Sequence, residues 1–110
     1  MSNKTHYRQG DVMVRKVGTI PAAATEVQNE GRIVLAHGEV TGHAHAIGIE
    51  EAAEFTFAEA GSIVRRFLKV FDKGAKLKHE EHATIPLPPG LYEIVQQREY
   101  TPEAIRNVAD

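Results

Sequence analysis

β-Branched residues dominate the apolar content of this chain: Val and Ile together number 18 against 5 Leu. Two heavy atoms on Cβ restrict χ1 in a helix and pack well on a pleated, half-buried surface, so the bias points to sheet. Glycines at 10, 18, 31, 38, 42, 48, 61, 74 and 90, with prolines at 21, 86, 88 and 89, punctuate the chain at short intervals. That spacing predicts a packed array of short strands. With 46 apolar residues in 110, one core is attainable and two are not. The expected fold is therefore mainly β: a small single-domain β-barrel or sandwich of short antiparallel strands over residues 1–110, with a short C-terminal helix.

Strands are expected at 10–17, 32–37 and 40–47, and again at 54–58 and 63–71, which form a hairpin around a turn at 59–62. In the first strand of that hairpin Phe55 and Phe57 point inward, and 63–71 is apolar on both faces. Three more strands, at 76–79, 83–87 and 91–97, complete the set, the last two pairing across the Pro88-Pro89-Gly90 turn. Residues 1–9 are expected to fray. The loop at 21–31 contains Ala22, Ala23 and Ala24, which suit a single helical turn or plain loop equally. At the other end Thr101 can N-cap, Pro102 suits the first helical position and Glu103 complements the dipole. Ala104, Ile105 and Val108 then give the 101–109 helix one apolar stripe to pack on the sheet.

Charge and composition exclude several function classes. Thirteen basic against fifteen acidic side chains give a net charge of −2, so no positive field collects nucleic acid or anionic lipid. Glu50, Glu51, Glu54 and Glu59 precede Arg65, Arg66, Lys69, Lys73, Lys76 and Lys78, a segregation expected to pair adjacent strands on the solvent face. No apolar run is long enough to cross a bilayer, and the first nine residues lack the apolar stretch of a signal peptide, so a soluble cytoplasmic protein is expected. The chain has no cysteine, which removes disulfides, thiolate metal ligands and thiol nucleophiles. Ser2 and Ser62 are the only serines and neither sits in a nucleophile elbow; no glycine-rich phosphate loop is present either.

Histidine is where chemistry can reside. Of six histidines, His37, His43, His45, His79 and His82 fall between residues 37 and 82 in two clusters. In His43-Ala44-His45 the strand period sends both rings to one face with Cα atoms roughly 6.5 to 7 Å apart, near enough to converge on one ion. Gly42 before them permits a bulge or a close backbone approach. The second cluster, His79-Glu80-Glu81-His82, offers two imidazoles and two carboxylates, and a turn there would gather both histidines. His43, His45, His79, His82 and Glu81 are thus the expected metal ligands, with Glu50 and Glu54 as further oxygen donors. Nitrogen and oxygen ligands without sulfur suit Zn²⁺, Fe²⁺, Mn²⁺, Ni²⁺ or Cu²⁺ without choosing among them. The bland readings are a polar pair inside a sheet for His43 and His45, a solvated turn for His79 and His82, a lone satisfied imidazole for His37, and a frayed end for His6. Glu80 and Glu81 would make an acid/base pair or a solvated turn.

The stretch from His43 through His45 to Glu50 resembles the first metal motif of the cupins, small β-barrels that hold a metal with His-x-His, a following Glu and a later His. Pro88-Pro89-Gly90 resembles the turn of their second motif, with Glu93 where the histidine would come and His79 and His82 lying before the turn. The resemblance implies a metal centre in a barrel. The phrases Gly38-Glu39-Val40-Thr41-Gly42-His43-Ala44-His45, His79-Glu80-Glu81-His82 and the 97–106 segment are similar to small uncharacterised bacterial and phage-borne proteins, which implies no activity. Two functions follow as expectations. One is a β-domain that binds a divalent transition metal, with metal-assisted catalysis where a coordination position stays open. The other is a non-enzymatic interaction module of a phage or accessory operon that contacts a protein partner. A homodimer through an edge strand, with 63–71 as the contact, is expected alongside either.

Overall fold

A computed structural model of the protein describes residues 5–38, 42–58 and 64–96. Among them ten strands occur: β1 (His6–Gln9), β2 (Val12–Val17), β3 (Thr25–Val27), β4 (Arg32–His37), β5 (Ala44–Gly48), β6 (Ala52–Ala58), β7 (Val64–Val70), β8 (Ala75–His79), β9 (His82–Leu87) and β10 (Gly90–Gln96). They form a six-stranded antiparallel sheet in the order β1-β2-β10-β7-β6-β3 and a four-stranded one in the order β4-β5-β8-β9. The mainly β expectation holds, and the two sheets do not close into one barrel. The helix expected at 101–109 lies outside the described residues.

Alternation builds the core. Val12 and Val14 of β2, Tyr92 and Ile94 of β10, and Leu68 and Val70 of β7 line one face of the large sheet, in register through Val14↔Ile94 and Tyr92↔Leu68. Ile33 and Leu35 of β4, Ile47 of β5 and Leu77 of β8 meet them from the small sheet. Each fully buried side chain of this size contributes about 1.5 to 3 kcal/mol relative to exposure, and nine such side chains of this core sit below 2 % exposure, enough to hold the sheets together.

Several expectations are corrected by this arrangement. Residues 1–9 do not all fray: His6–Gln9 is β1, hydrogen-bonded along β2, and Tyr7 and Gln9 are buried. The strand expected from residue 10 starts at Val12, because Gly10 and Asp11 form the two-residue turn between β1 and β2, with Gly10 at the positive φ of 62° that the first position of a type II′ turn needs. The strand at 40–47 begins at Ala44, and Val40 is outside the described residues. β9 and β10 do not pair, since β9 joins β8 and β10 lies between β2 and β7. The Pro88-Pro89-Gly90 corner carries the chain from one sheet to the other, and Tyr92 Oη donates to Pro88 O at 2.7 Å across it. The 63–71 strand is not an edge: β7 has β10 on one side and β6 on the other, so its hydrogen-bonding capacity is spent.

β6 and β7 pair antiparallel as expected but with the faces reversed, and the turn expected at 59–62 lies outside the described residues. Ala52 and Glu54 are buried and Phe55 and Phe57 only half-buried, with Phe55 opposite Phe67 on the outer face. A carboxylate goes inward because it is fully partnered: Arg66 Nε donates to Glu54 Oε2 at 2.8 Å and Asn29 Nδ2 to Oε1 at 3.1 Å. Acidic and basic segments therefore do pair between adjacent strands, though inside rather than on the solvent face. Residues 22–23 form a turn closed by Ala24 N donating to Pro21 O at 3.0 Å.

Candidate metal centre

The two histidine clusters meet. β8 and β9 are joined by the two-residue turn Glu80-Glu81, so His79 and His82 face each other as its closing pair, with ring centroids 4.6 Å apart. β5 lies beside β8 and brings the His45 ring to 4.3 Å from that of His79 and 5.6 Å from that of His82. The ladder register shifts at two points near these rings, between Val34 and Ala36 opposite His45 and between Leu77 and His79. Irregularities of this kind re-aim side chains. Arg66 steadies the first by donating to the carbonyls of Leu35 at 2.7 Å and Val34 at 2.9 Å.

His45, His79 and His82 each offer a ring nitrogen within 4.8 Å of the others, and His43, His79 and Glu80 form a second such group that shares His79. His43 approaches His79 at 5.7 Å between centroids. The His43 Nδ1 is sealed from water and makes no hydrogen bond; Glu81 Oε2 lies 3.3 Å away without hydrogen-bond geometry, so its attraction acts only on a protonated ring. Buried polar atoms are rarely left without a partner, so this nitrogen has hydrogen-bonding or ligating capacity to spare.

His45 is the buried member, at 2 % exposure. Burial first, and then the neighbouring His79, holds its pKa below the ordinary 6.5, against the opposing pull of Asp11, so the ring is neutral at pH 7 and competent to ligate. Its Nδ1 lies 2.9 Å from Gln9 Oε1 and its Nε2 3.8 Å from Asp11 Oδ1. Gln9 Nε2 in turn donates to Leu77 O and Ala83 O, each at 2.9 Å, tying β1 to β8 and β9. His79 Nδ1 accepts from the backbone N–H of Glu81 at 3.0 Å. Glu80 Oε1 accepts from Ala44 N at 3.0 Å, and that bond holds its carboxyl below the ordinary range.

Two glycines let backbone approach the rings. A Cβ on Gly10 would lie 3.0 Å from His82 Nε2 and 3.1 Å from His45 Cε1, and one on Gly38 would lie 2.8 Å from His79 Nε2. Together these groups line an open cleft of about 320 Å³ that also admits Asp11 and Glu81. A larger cleft of about 1260 Å³ beside Val70, Phe71 and Pro88 gathers no histidine, so chemistry rather than size selects the smaller one.

Of the residues expected from sequence, His45, His79 and His82 come together, while His43 stands to the side with His79 and Glu80. Glu81 borders the cleft but belongs to neither group. Glu54 is committed to Arg66 and Asn29, and Glu50 lies over Gly48 rather than among the rings. His37 lines the cleft outside both groups, and the His6 ring lies 2.9 Å from the Thr5 hydroxyl. Sequence reasoning missed Gln9, Asp11 and the close approach of Gly10. The Gly-Asp pair was their one available signal, as a hairpin turn that places its flanking residues opposite each other.

A domain family described as "Domain of unknown function (DUF8820)" matches residues 8–97. No curated protein and no solved structure matches the chain.

Proposed function

The chain belongs to the DUF8820 family, and we propose that this domain binds one divalent transition-metal ion through His45, His79 and His82. The observation that carries the reading is the convergence of three imidazole nitrogens from three strands of one sheet within 4.8 Å. Tetrahedral ligands at 2.0 to 2.1 Å from zinc lie roughly 3.4 Å from one another, so modest side-chain rotations suffice. An all-imidazole set suits Zn²⁺, Cu²⁺, Ni²⁺ or Fe²⁺ better than the oxygen-seeking Mg²⁺ or Ca²⁺. Three protein ligands leave a position open towards the cleft, with the Asp11 carboxylate beside it, and metal-assisted hydrolysis is the chemistry such a position supports.

Metal analysis of untagged protein tests the reading. One equivalent of metal is expected in the wild type, and none in His45→Ala, His79→Ala or His82→Ala that still fold. His6→Ala and His37→Ala should retain it. Wild-type protein without metal after zinc loading and dialysis contradicts the reading.

A further inference from the structure

Gln9 is buried at 2 % exposure, and every polar atom of its carboxamide is used. The amide nitrogen faces two backbone carbonyls, Leu77 O and Ala83 O, each at 2.9 Å. A flipped amide would set its oxygen against both carbonyl oxygens, so the surroundings fix the orientation. The amide oxygen is then left facing His45 Nδ1 at 2.9 Å. That oxygen can only accept, so the proton of this hydrogen bond must be on Nδ1.

A neutral imidazole with its proton on Nδ1 carries its lone pair on Nε2. Imidazole in water prefers the opposite tautomer, so the fold reverses a solution preference. The doubly protonated ring would also donate to Gln9 from Nδ1, and losing the Nε2 proton from it leaves the same Nδ1–H form, the one that can ligate. We propose that Gln9 is a positioning residue: it holds His45 in the Nδ1–H tautomer and thereby presents the Nε2 lone pair to a divalent cation in the histidine cluster. The cation rests on the metal-binding reading above; the tautomer rests on hydrogen-bond geometry alone. Histidine ligands commonly donate their second ring nitrogen to an oxygen acceptor in this way, which fixes ring orientation and raises basicity. Here the acceptor comes from β1, so a complete site requires the N-terminal strand to be docked against β8 and β9.

The test is made first on metal-free, full-length protein labelled with ¹⁵N-histidine at about pH 8, above the histidine titration range. Two-bond ¹H–¹⁵N correlations are expected to show His45 with a pyrrole-type Nδ1 and a pyridine-type Nε2, unlike the exposed His6. An Nε2–H pattern, or a solution-like mixture at His45, overturns the proposal. In the second arm Gln9→Leu, which removes the acceptor, should weaken zinc binding by about 10- to 100-fold and release His45 from the Nδ1–H form. A folded Gln9→Leu that keeps the wild-type tautomer and zinc affinity overturns the proposal. Should that variant fail to fold, the wild-type tautomer decides. Wild-type protein that shows the Nδ1–H form yet takes up no zinc upholds the lock and removes the metal reading, which separates the two failures.

Discussion

Glu93 and His45 titrate in different windows and mark different parts of the molecule. Arg65 forks onto Glu93 through Nε at 2.9 Å and Nη2 at 3.1 Å, and Arg15 pairs with the same carboxylate from β2. The Arg65 hydrogen bond above all, with Arg15 beside it, holds Glu93 below its ordinary 4.5. Its contribution to stability is therefore complete above pH 4.5 and is lost as pH falls through the lower folded value. Glu93→Gln should cost about 1 to 3 kcal/mol at neutral pH, and thermal melts below pH 4.5 should show a shallower acid loss than wild type. His45 also resists protonation in the fold, so metal-free protein should lose stability as pH drops below 6.5 and then level off beneath the folded pKa. Zinc affinity should fall over the same range, since protons compete for the ligand nitrogens. An affinity unchanged from pH 7.5 to about 5.5 would show that no imidazole takes part.

The hairpin of β8 and β9 is the element that must adjust when a cation arrives. Glu81 N–H donates to His79 Nδ1, so a neutral His79 keeps its own proton on Nε2. Ligation by a neutral His79 ends that hydrogen bond: a cation at Nδ1 displaces it, and a cation at Nε2 moves the proton to Nδ1. The Glu81 amide resonance should therefore shift on zinc addition and its hydrogen exchange should quicken; an amide unchanged at saturation would exclude His79 as a ligand. Gly38→Ala probes the same ring, because the added methyl meets the far end of His79 at 2.8 Å and the imidazole gives way more readily than backbone. Zinc affinity should fall on the order of tenfold or more, with a change in melting temperature too small to indicate unfolding.

How much of this was legible depends on sequence distance. The β6–β7 hairpin, the sheet content and the gathering of His79 with His82 follow from local pattern and turn length. The docking of β1 did not, because the bonds that hold Gln9 to Leu77 and Ala83 span 68 and 74 positions and leave no periodic trace. The reversed faces of β6 were hidden for a related reason: Glu54 is admitted inside by Arg66 and Asn29, 12 and 25 positions away. Choosing His45 over His43 as the centre likewise needed the register shift between Val34 and Ala36.

At the scale of the whole molecule, the sheets are joined along one border by side-chain hydrogen bonds in place of strand pairing. β1 ends the large sheet and β9 ends the small one, and Gln9 spans them. Arg66 occupies two carbonyls of β4, and β3 has three residues, so the ends of the described sheets offer short or blunted templates. Enclosed between β6 and β10, β7 offers no free strand edge to a second copy. The histidine cluster sits where β5, β8 and β9 meet the β1–β2 turn, so a bound ion would cross-link three strands of the small sheet and raise the melting temperature. Excess zinc at 100 times its dissociation constant should stabilise the fold by about 2.7 kcal/mol. The most direct measurement is the anomalous difference map of a zinc-loaded crystal. The account predicts one peak about 2.0 to 2.1 Å from a ring nitrogen of each of His45, His79 and His82; a protein crystallised with zinc whose peaks lie elsewhere, or that shows none among these rings, would contradict it.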